Sequence, residues 1–236
     1  MALSHNQSPD RMGCLGLVLD ENLGFWGTYS VDRDHSIEID RNCASLANLL
    51  SQRPRLLSRR DSLSLATNLA SSLLQLHATP WLSENWCNES IYFSCPDKIR
   101  DPYVRAHIGD SSHSMANTAH SFAFNPYLVA LGIILLELSE RKSFLEWTHE
   151  NGIECDSDDV IDKAMAAFKW FGQSYGNMSE DYAIAVQHCL NSSFTPVQPN
   201  TTLADPGFRH AVYRDIVQRL EKEYFKFTTH IRVSGS

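Results

Sequence analysis

The sequence of 236 residues lacks the cysteine pairs, the apolar leader and the long hydrophobic run that mark several common protein classes. None of its six cysteines forms a Cys-x-x-Cys pair, which argues against a zinc ribbon or a thioredoxin-like site. The first eleven residues, MALSHNQSPDR, contain no signal-peptide core. The longest apolar run, residues 128–136, is too short to cross a bilayer, which takes roughly 20 residues. We therefore expect a cytoplasmic protein with reduced thiols and no membrane partner.

The charge balance is acidic, with a formal net charge of −8. This charge argues against broad nucleic-acid binding, which depends on neutralising phosphates, so we expect no DNA partner. Within this acidic chain, four arginines fall within eight residues: Arg53, Arg55, Arg59 and Arg60. Such runs are usually solvated connectors, which is the interpretation we favour, and the alternative is a contact for phosphates or an acidic partner.

A metal site is not expected either. His107, His113 and His120 recur at spacings of six and seven, which fit neither a helical nor a finger-type ligand pattern.

Apolar periodicity predicts a mainly α fold with a small N-terminal β-hairpin. Residues 14–19 and 25–29 have strand character around a turn-rich segment at residues 20–24. We expect a single domain over residues 13–227, with the hairpin subregion in residues 13–40 and disordered tails at residues 1–12 and 228–236. Hydrophobic content of 43% is sufficient for its core.

Leucines at spacings of four, four and three predict a core-facing helix that Asp61 can cap and that His77 ends. These leucines are Leu65, Leu69, Leu73 and Leu76.

Further helices are predicted along the rest of the chain. A short one covers residues 42–50, and a buried central one covers residues 125–144, which are apolar on nearly every side. Residues 158–171 form another, with Ile161, Met165 and Phe168 on one face. The last two begin at Ser179 and at Asp205-Pro206. Trp81 and Trp86, in the turn after the leucine-rich helix, are expected in the core.

Two stretches resemble the C-terminal lobe of protein kinases. Kinases have Leu-His, five residues, His-Arg-Asp, four residues, Asn and then an apolar strand. This chain has Leu76-His77, five residues, Ser83-Glu84-Asn85, four residues and Ser90, then Ile-Tyr-Phe. Its run Leu-Gly-Ile-Ile-Leu-Leu-Glu-Leu, residues 131–138, resembles the buried helix of that lobe. Over roughly residues 14–225 the chain is similar to a group of fungal proteins with a degenerate kinase-like domain.

The resemblance implies a fold that has lost kinase chemistry. Asn85 stands where the catalytic Asp belongs, Ser90 replaces the metal-binding Asn, and Tyr127 replaces the bracing Asp. Residues 94–124 contain no Asp-Phe-Gly triplet. We therefore do not expect phosphoryl transfer, which needs these groups. Asn85 and Ser90 become candidates for binding a substrate in a repurposed cleft.

The size and layout also resemble the fungal arginine-containing cyclodipeptide synthases. This resemblance implies an enzyme that joins arginine from arginyl-tRNA to a second aminoacyl-tRNA residue as a diketopiperazine, without a cofactor. Glu137 and Glu140, three residues apart on a helix, are the candidate catalytic pair, because a carboxylate can hold a guanidinium by two hydrogen bonds. The arginine cluster would contact tRNA phosphates.

Two alternatives stay open. The two glutamates can instead form structural ion pairs, Glu140 with Arg141 or Lys142 and Glu137 with a structural arginine, which is the commoner case. The whole domain can instead be a non-catalytic interaction module of fungal signalling or immunity, whose surface carries the function.

Overall fold

The structure is a computed structural model in which the chain divides into two compact units, Met1–Asn42 and Cys43–Ser236. It describes residues 14–19, 26–31, 43–52, 57–77, 79, 81–93, 102–104, 124–156, 159–192, 194 and 202–234. His107, His113 and His120, at which no metal site was expected, lie outside these residues. We describe the two units separately, and the prediction of one domain over residues 13–227 stays a prediction.

The first unit contains the predicted hairpin. Strand β1 (Cys14–Leu19) pairs antiparallel with strand β2 (Trp26–Val31), in a register that sets Cys14 opposite Val31 and Leu19 opposite Trp26. Turn-forming residues between two apolar strands favour this arrangement. The prediction of an N-terminal hairpin is confirmed.

The second unit contains a small antiparallel sheet with the order β3, β4, β5. Its strands are β3 (Ala44–Ser45), β4 (Ile91–Phe93) and β5 (Pro102–Val104). The Tyr92 and Tyr103 rings, which lie opposite each other in the register, stack with centroids 5.9 Å apart. Of these three strands, the sequence patterns predicted only β4. Helix α1 (Leu46–Gln52) begins four residues later than predicted because β3 precedes it.

Helix α2 (Arg59–Leu76) buries Leu65, Leu69 and Leu73 and ends at His77, as predicted. Its cap was predicted wrongly. The N-cap is Ser58, whose Oγ accepts a hydrogen bond from the Asp61 backbone N at 3.1 Å. The Asp61 carboxylate in turn accepts from the Ser58 hydroxyl. Either residue type can cap a helix, and the chain begins its helical turn three residues earlier than we expected.

Helix α3 (Pro126–Glu140) is the buried central helix that the sequence predicted. Asn125 caps it, and Trp86, which is itself buried, donates from Nε1 to the Tyr127 carbonyl at 3.3 Å. Gly132 allows another helix to approach closely: a Cβ atom built there would lie 2.7 Å from the Leu190 side chain. Trp81, the other predicted core tryptophan, is only partly buried.

The remaining helices are α4 (Phe144–Glu150), α5 (Val160–Ser174), α6 (Glu180–Asn191), α7 (Pro206–Val212) and α8 (Gln218–Ser234). Of these helices, α4, α5 and α6 pack against α3, and α8 packs against α2 and α6. A short 3₁₀ turn, Tyr175–Asn177, follows α5 and leads to α6. A π-helical turn, Tyr213–Val217, connects α7 to α8. Helix α8 continues through Ser234, so the predicted tail from residue 228 is helical to that point.

Of the face predicted for the core side of α5, only Phe168 packs against the core, where it is partly buried. Ile161 and Met165 are 50% and 61% exposed, while Ala164, Ala167 and Trp170 are buried. The Trp170 ring stacks with Trp147 of α4 at a centroid distance of 5.3 Å. The prediction was wrong for Ile161 and Met165 because the small alanines permit close packing, and the large tryptophan then outweighs this aliphatic pair.

The predicted start of α7 is confirmed, and an apolar stripe follows it. Asp205 accepts from the Phe208 backbone N at 2.7 Å, and Pro206 occupies the first turn. Phe208, Val212, Ile216 and Leu220, which are all buried, recur every four residues. A regular α-helix would rotate such a stripe by ~40° at each step. The wider π turn reduces this drift and keeps the side chains towards the core.

Candidate functional site

Glu137 lies in the last turns of α3 and is only 1% exposed. Its Oε1 accepts two hydrogen bonds, from Asn88 Nδ2 at 2.6 Å and from the Phe144 backbone N at 2.8 Å. Asn88 belongs to a 3₁₀ turn, Asn88–Ser90, that directly precedes β4, and Phe144 is the first residue of α4. One carboxyl group therefore joins three separate segments inside the protein.

The electrostatic state of Glu137 follows from this burial. Desolvation raises its pKa from 4.5 to about 8, although the bonds from Phe144 and Asn88 act to lower it. Oε2 is shielded from solvent and has no hydrogen-bond partner among the described residues. At neutral pH the group is mostly a neutral acid, and we place its proton on Oε2 because Oε1 already accepts two bonds. A buried neutral acid is unsuited to holding a guanidinium.

Glu140, the second predicted catalytic residue, is partly exposed at the end of α3. Both of its carboxylate oxygens lie 3.5 Å from Asn177 Nδ2, beside the start of α6. The two glutamates thus have different partners and different solvent access, although they are only three residues apart. The predicted ion pairs do not form among the described residues either, since Lys142 pairs with Glu150 instead.

The two candidate substrate-binding residues lie in the segment between α2 and β4. Asn85 is exposed, and its backbone N donates to Ser83 Oγ at 3.2 Å. The Ser90 hydroxyl accepts from the Cys87 backbone N at 3.3 Å and so stabilises its own 3₁₀ turn. Asn88, between them, is the residue that reaches Glu137. Sequence reasoning missed it because no spacing rule connects residues 49 positions apart.

The arginine cluster is described only in part, because Arg53 and Arg55 lie outside the described residues. Arg60 is exposed at the start of α2. Arg59 is tied to α8: its guanidinium lies 3.5 Å from Glu223 Oε1 and 5.6 Å from the centre of the Phe227 ring. A contact of this cluster with tRNA phosphates stays a prediction.

A second set of basic residues surrounds Asp181 at the start of α6. Arg219, Lys222 and Lys226, all on α8, lie 3.2, 3.1 and 2.6 Å from its carboxylate oxygens. Burial would raise the pKa of Asp181, but the hydrogen bonds from the two lysines outweigh it and hold the pKa below its usual value. These cations hold α8 against α6.

The described ranges contain neither a cluster of metal ligands nor a membrane-spanning helix. No group of three or more His, Cys, Asp or Glu side chains there is arranged to hold a metal ion. None of the helices there combines the length and the apolar character needed to span a membrane.

These features define a mainly helical domain with a small antiparallel sheet, in which the predicted catalytic Glu137 is an interior group. A family model described as "Domain of unknown function (DUF7580)" matches residues 6–227. The chain therefore belongs to the DUF7580 family. The search of curated proteins and the search of solved structures both found no match.

Proposed function

We propose that this domain is a non-catalytic binding module on a scaffold resembling the kinase C-terminal lobe. The observation that carries the proposal is the position of Glu137, which is buried and bonded to Asn88 and to the Phe144 backbone N. A carboxyl group held this way stabilises the fold and has no free lone pair on Oε1 directed towards solvent. The module would act in the cytoplasm, in fungal signalling or immunity.

The order of elements supports the scaffold. Helix α2 ends at His77, a turn and the strands β4 and β5 follow, and the buried helix α3 comes after them. The resemblance to kinases predicts this same order of helix, turn, strand and buried helix. The side chains at the substituted positions support the loss of catalysis, because Asn85 is exposed and Ser90 bonds within its own turn.

The alternative is the arginine-containing cyclodipeptide synthase, which would use arginyl-tRNA and a second aminoacyl-tRNA. The observation that favours it is the state of Glu140, whose carboxylate is partly exposed and has only long contacts with Asn177. An accessible carboxylate of this kind is able to bind an arginine guanidinium. Under this alternative, Glu140 alone would act as the clamp.

Mass spectrometry of a heterologous host distinguishes the two functions. Extracts are compared from cells expressing the wild-type chain, the Glu140→Gln variant and an empty vector, after circular dichroism has shown that both proteins are folded. We expect no new cyclic dipeptide. A new cyclo-arginyl dipeptide that disappears in the variant would overturn the binding-module proposal and establish Glu140 as part of an enzyme.

The binding-module proposal also requires a stable partner. We expect cross-linking and affinity purification, in cells that naturally produce the protein, to recover the same protein repeatedly with the wild-type chain. The double variant Ile161→Ser/Met165→Ser, provided that it folds, tests whether recovery of the partner depends on the exposed face of α5. Leu145→Ser, at another exposed apolar position, is the matched control.

A further inference from the structure

Three helix ends meet around a cavity with a volume of about 170 Å³. They are the N-terminus of α2, the C-terminus of α3 and the N-terminus of α6. The lining residues are Arg59, Ser62 and Leu63 from α2, Leu138, Ser139 and Arg141 from the end of α3, and Asn177, Met178, Ser179 and Tyr182 beside α6. Ligand pockets for drug-sized molecules usually measure ~300–1,000 Å³, so this cavity fits one small chemical group.

The charged side chains of the described lining are both arginines. Arg141 is exposed, has left-handed backbone geometry with φ 55°, and forms no ion pair with any residue that the structure describes. Arg59 keeps several of its five N–H donors available, because its contact with Glu223 involves a single pair of atoms at 3.5 Å. The lining therefore offers two guanidinium groups to an anion.

Two serine hydroxyls in the lining lack partners. The Oγ atoms of Ser62 and Ser179 are shielded from solvent, and neither bonds to another described residue. Ser62 is only 6% exposed. Ser179 is the N-cap of α6, yet its hydroxyl does not accept a bond from the first turn of the helix. Buried hydroxyls without partners are rare and costly, so both point to a missing hydrogen-bonding ligand.

Carboxylates lie near the cavity but outside its described lining, which contains two guanidinium groups and no acidic side chain. Glu140 contacts the lining through Asn177, and Glu223 faces Arg59. The C-terminus of α3 contributes a partial negative charge of about half a unit, while each of the two helix N-termini contributes about half a positive unit. Acidic side chains in the first turns of α2 and α6 act against those positive ends. The preference for an anion therefore comes from the two arginines of the lining.

We propose that this cavity binds one tetrahedral oxyanion of the phosphate type, either free phosphate or a phosphate monoester. The arginines would bind two of its oxygens, and the hydroxyls of Ser62 and Ser179 would donate to the others. The site is independent of the function proposed above, because it uses none of the groups on which that proposal depends.

Calorimetric titration of the full chain with sodium phosphate, sodium sulfate and O-phosphoserine tests the site, with sodium chloride at equal ionic strength as the blank. We expect saturable binding of phosphate. Arg141→Gln should weaken it about tenfold, since a charge-assisted hydrogen bond is lost. Ser62→Ala should weaken it without unfolding the protein, and Glu140→Gln should strengthen it by removing a nearby negative charge. Arg60→Gln, which removes the same charge outside the lining, should leave the affinity unchanged.

The comparison of phosphate with O-phosphoserine also identifies the source of the ligand. Tighter binding of O-phosphoserine than of phosphate would support the site with a monoester as its ligand, and tighter binding of phosphate would support it with the free ion. Heat signals equal to those of chloride would overturn the proposal. Equal losses in Arg141→Gln and Arg60→Gln would also overturn it, because diffuse surface attraction would then explain the binding.

Discussion

The replacement Glu137→Gln should change how the stability of the protein depends on pH. The pKa of Glu137 is about 8 in the folded protein and 4.5 in the unfolded reference. Between these values the folded chain holds a proton that the unfolded chain has released, so raising the pH favours unfolding. The stability associated with the protonated acid is complete below about pH 4.5 and is lost as the pH rises through about 8. Glutamine carries no titrating proton and lacks this dependence.

The magnitude follows from linkage. When only the folded state holds the proton, each unit of rise in pH lowers the free energy of unfolding by about 1.4 kcal/mol. Between about pH 5.5 and about pH 7.5, the free energy of unfolding of the wild type should fall by about 3 kcal/mol relative to that of Glu137→Gln. This is a large share of a typical domain stability of about 5–15 kcal/mol.

Urea denaturation followed by circular dichroism at several pH values provides the measurement. The difference between wild type and variant isolates Glu137, because every other titrating group is common to both. Glu140→Gln is the matched control, since it removes a partly exposed carboxylate one helical turn away from the buried one. If the difference for Glu137→Gln is independent of pH, Glu137 is ionised or hydrated in the folded protein, and our account of its burial is wrong.

Three further replacements test other contacts. Asn88→Ala should lower the free energy of unfolding, measured by urea denaturation, by about 1–3 kcal/mol because a hydrogen bond to Glu137 is lost. Since that bond lowers the pKa of the Glu137 carboxyl, its loss should also raise the pH at which the decline in stability is half complete. Gly132→Ala should destabilise by about 1–3 kcal/mol through overpacking against Leu190, whereas Gly172→Ala, which meets nothing within 4 Å, should stabilise slightly. Asp181→Asn should destabilise at neutral pH, and its difference from wild type should shrink as the pH falls below 3.8, because the folded pKa of this group is lowered. A difference that persists in acid would contradict that account.

Local sequence patterns were sufficient to predict those elements whose characteristic residues lie close together in the chain. The leucine spacing identified α2, the continuous apolar run identified α3, and Asp205-Pro206 marked the start of α7. The strand character of two short segments and the turn residues between them identified β1 and β2. In each case, hydrophobic period and capping chemistry are properties of neighbouring residues, so no knowledge of distant segments was needed.

Where the sequence offered two suitable local arrangements, only the tertiary structure decided which one the protein adopts. Helix α5 has an aliphatic pair, Ile161 and Met165, and a face with small residues and Trp170. The helices that α5 packs against, α3, α4 and α6, decide which face is buried. Ser58 and Asp61 can each cap a helix, and the path of the chain into α2 selects Ser58.

The functional sites depend most strongly on distant contacts. The sequence determined that Glu137 and Glu140 share one helix, three residues apart. Only the folded chain decided that Asn88 meets Glu137 and that Glu140 remains near solvent. The candidate oxyanion cavity likewise forms where the N-termini of α2 and α6 meet the C-terminus of α3. Burial and charge at such places are set by segments that are far apart in the chain, and local periodicity carries no information about which helix ends will meet.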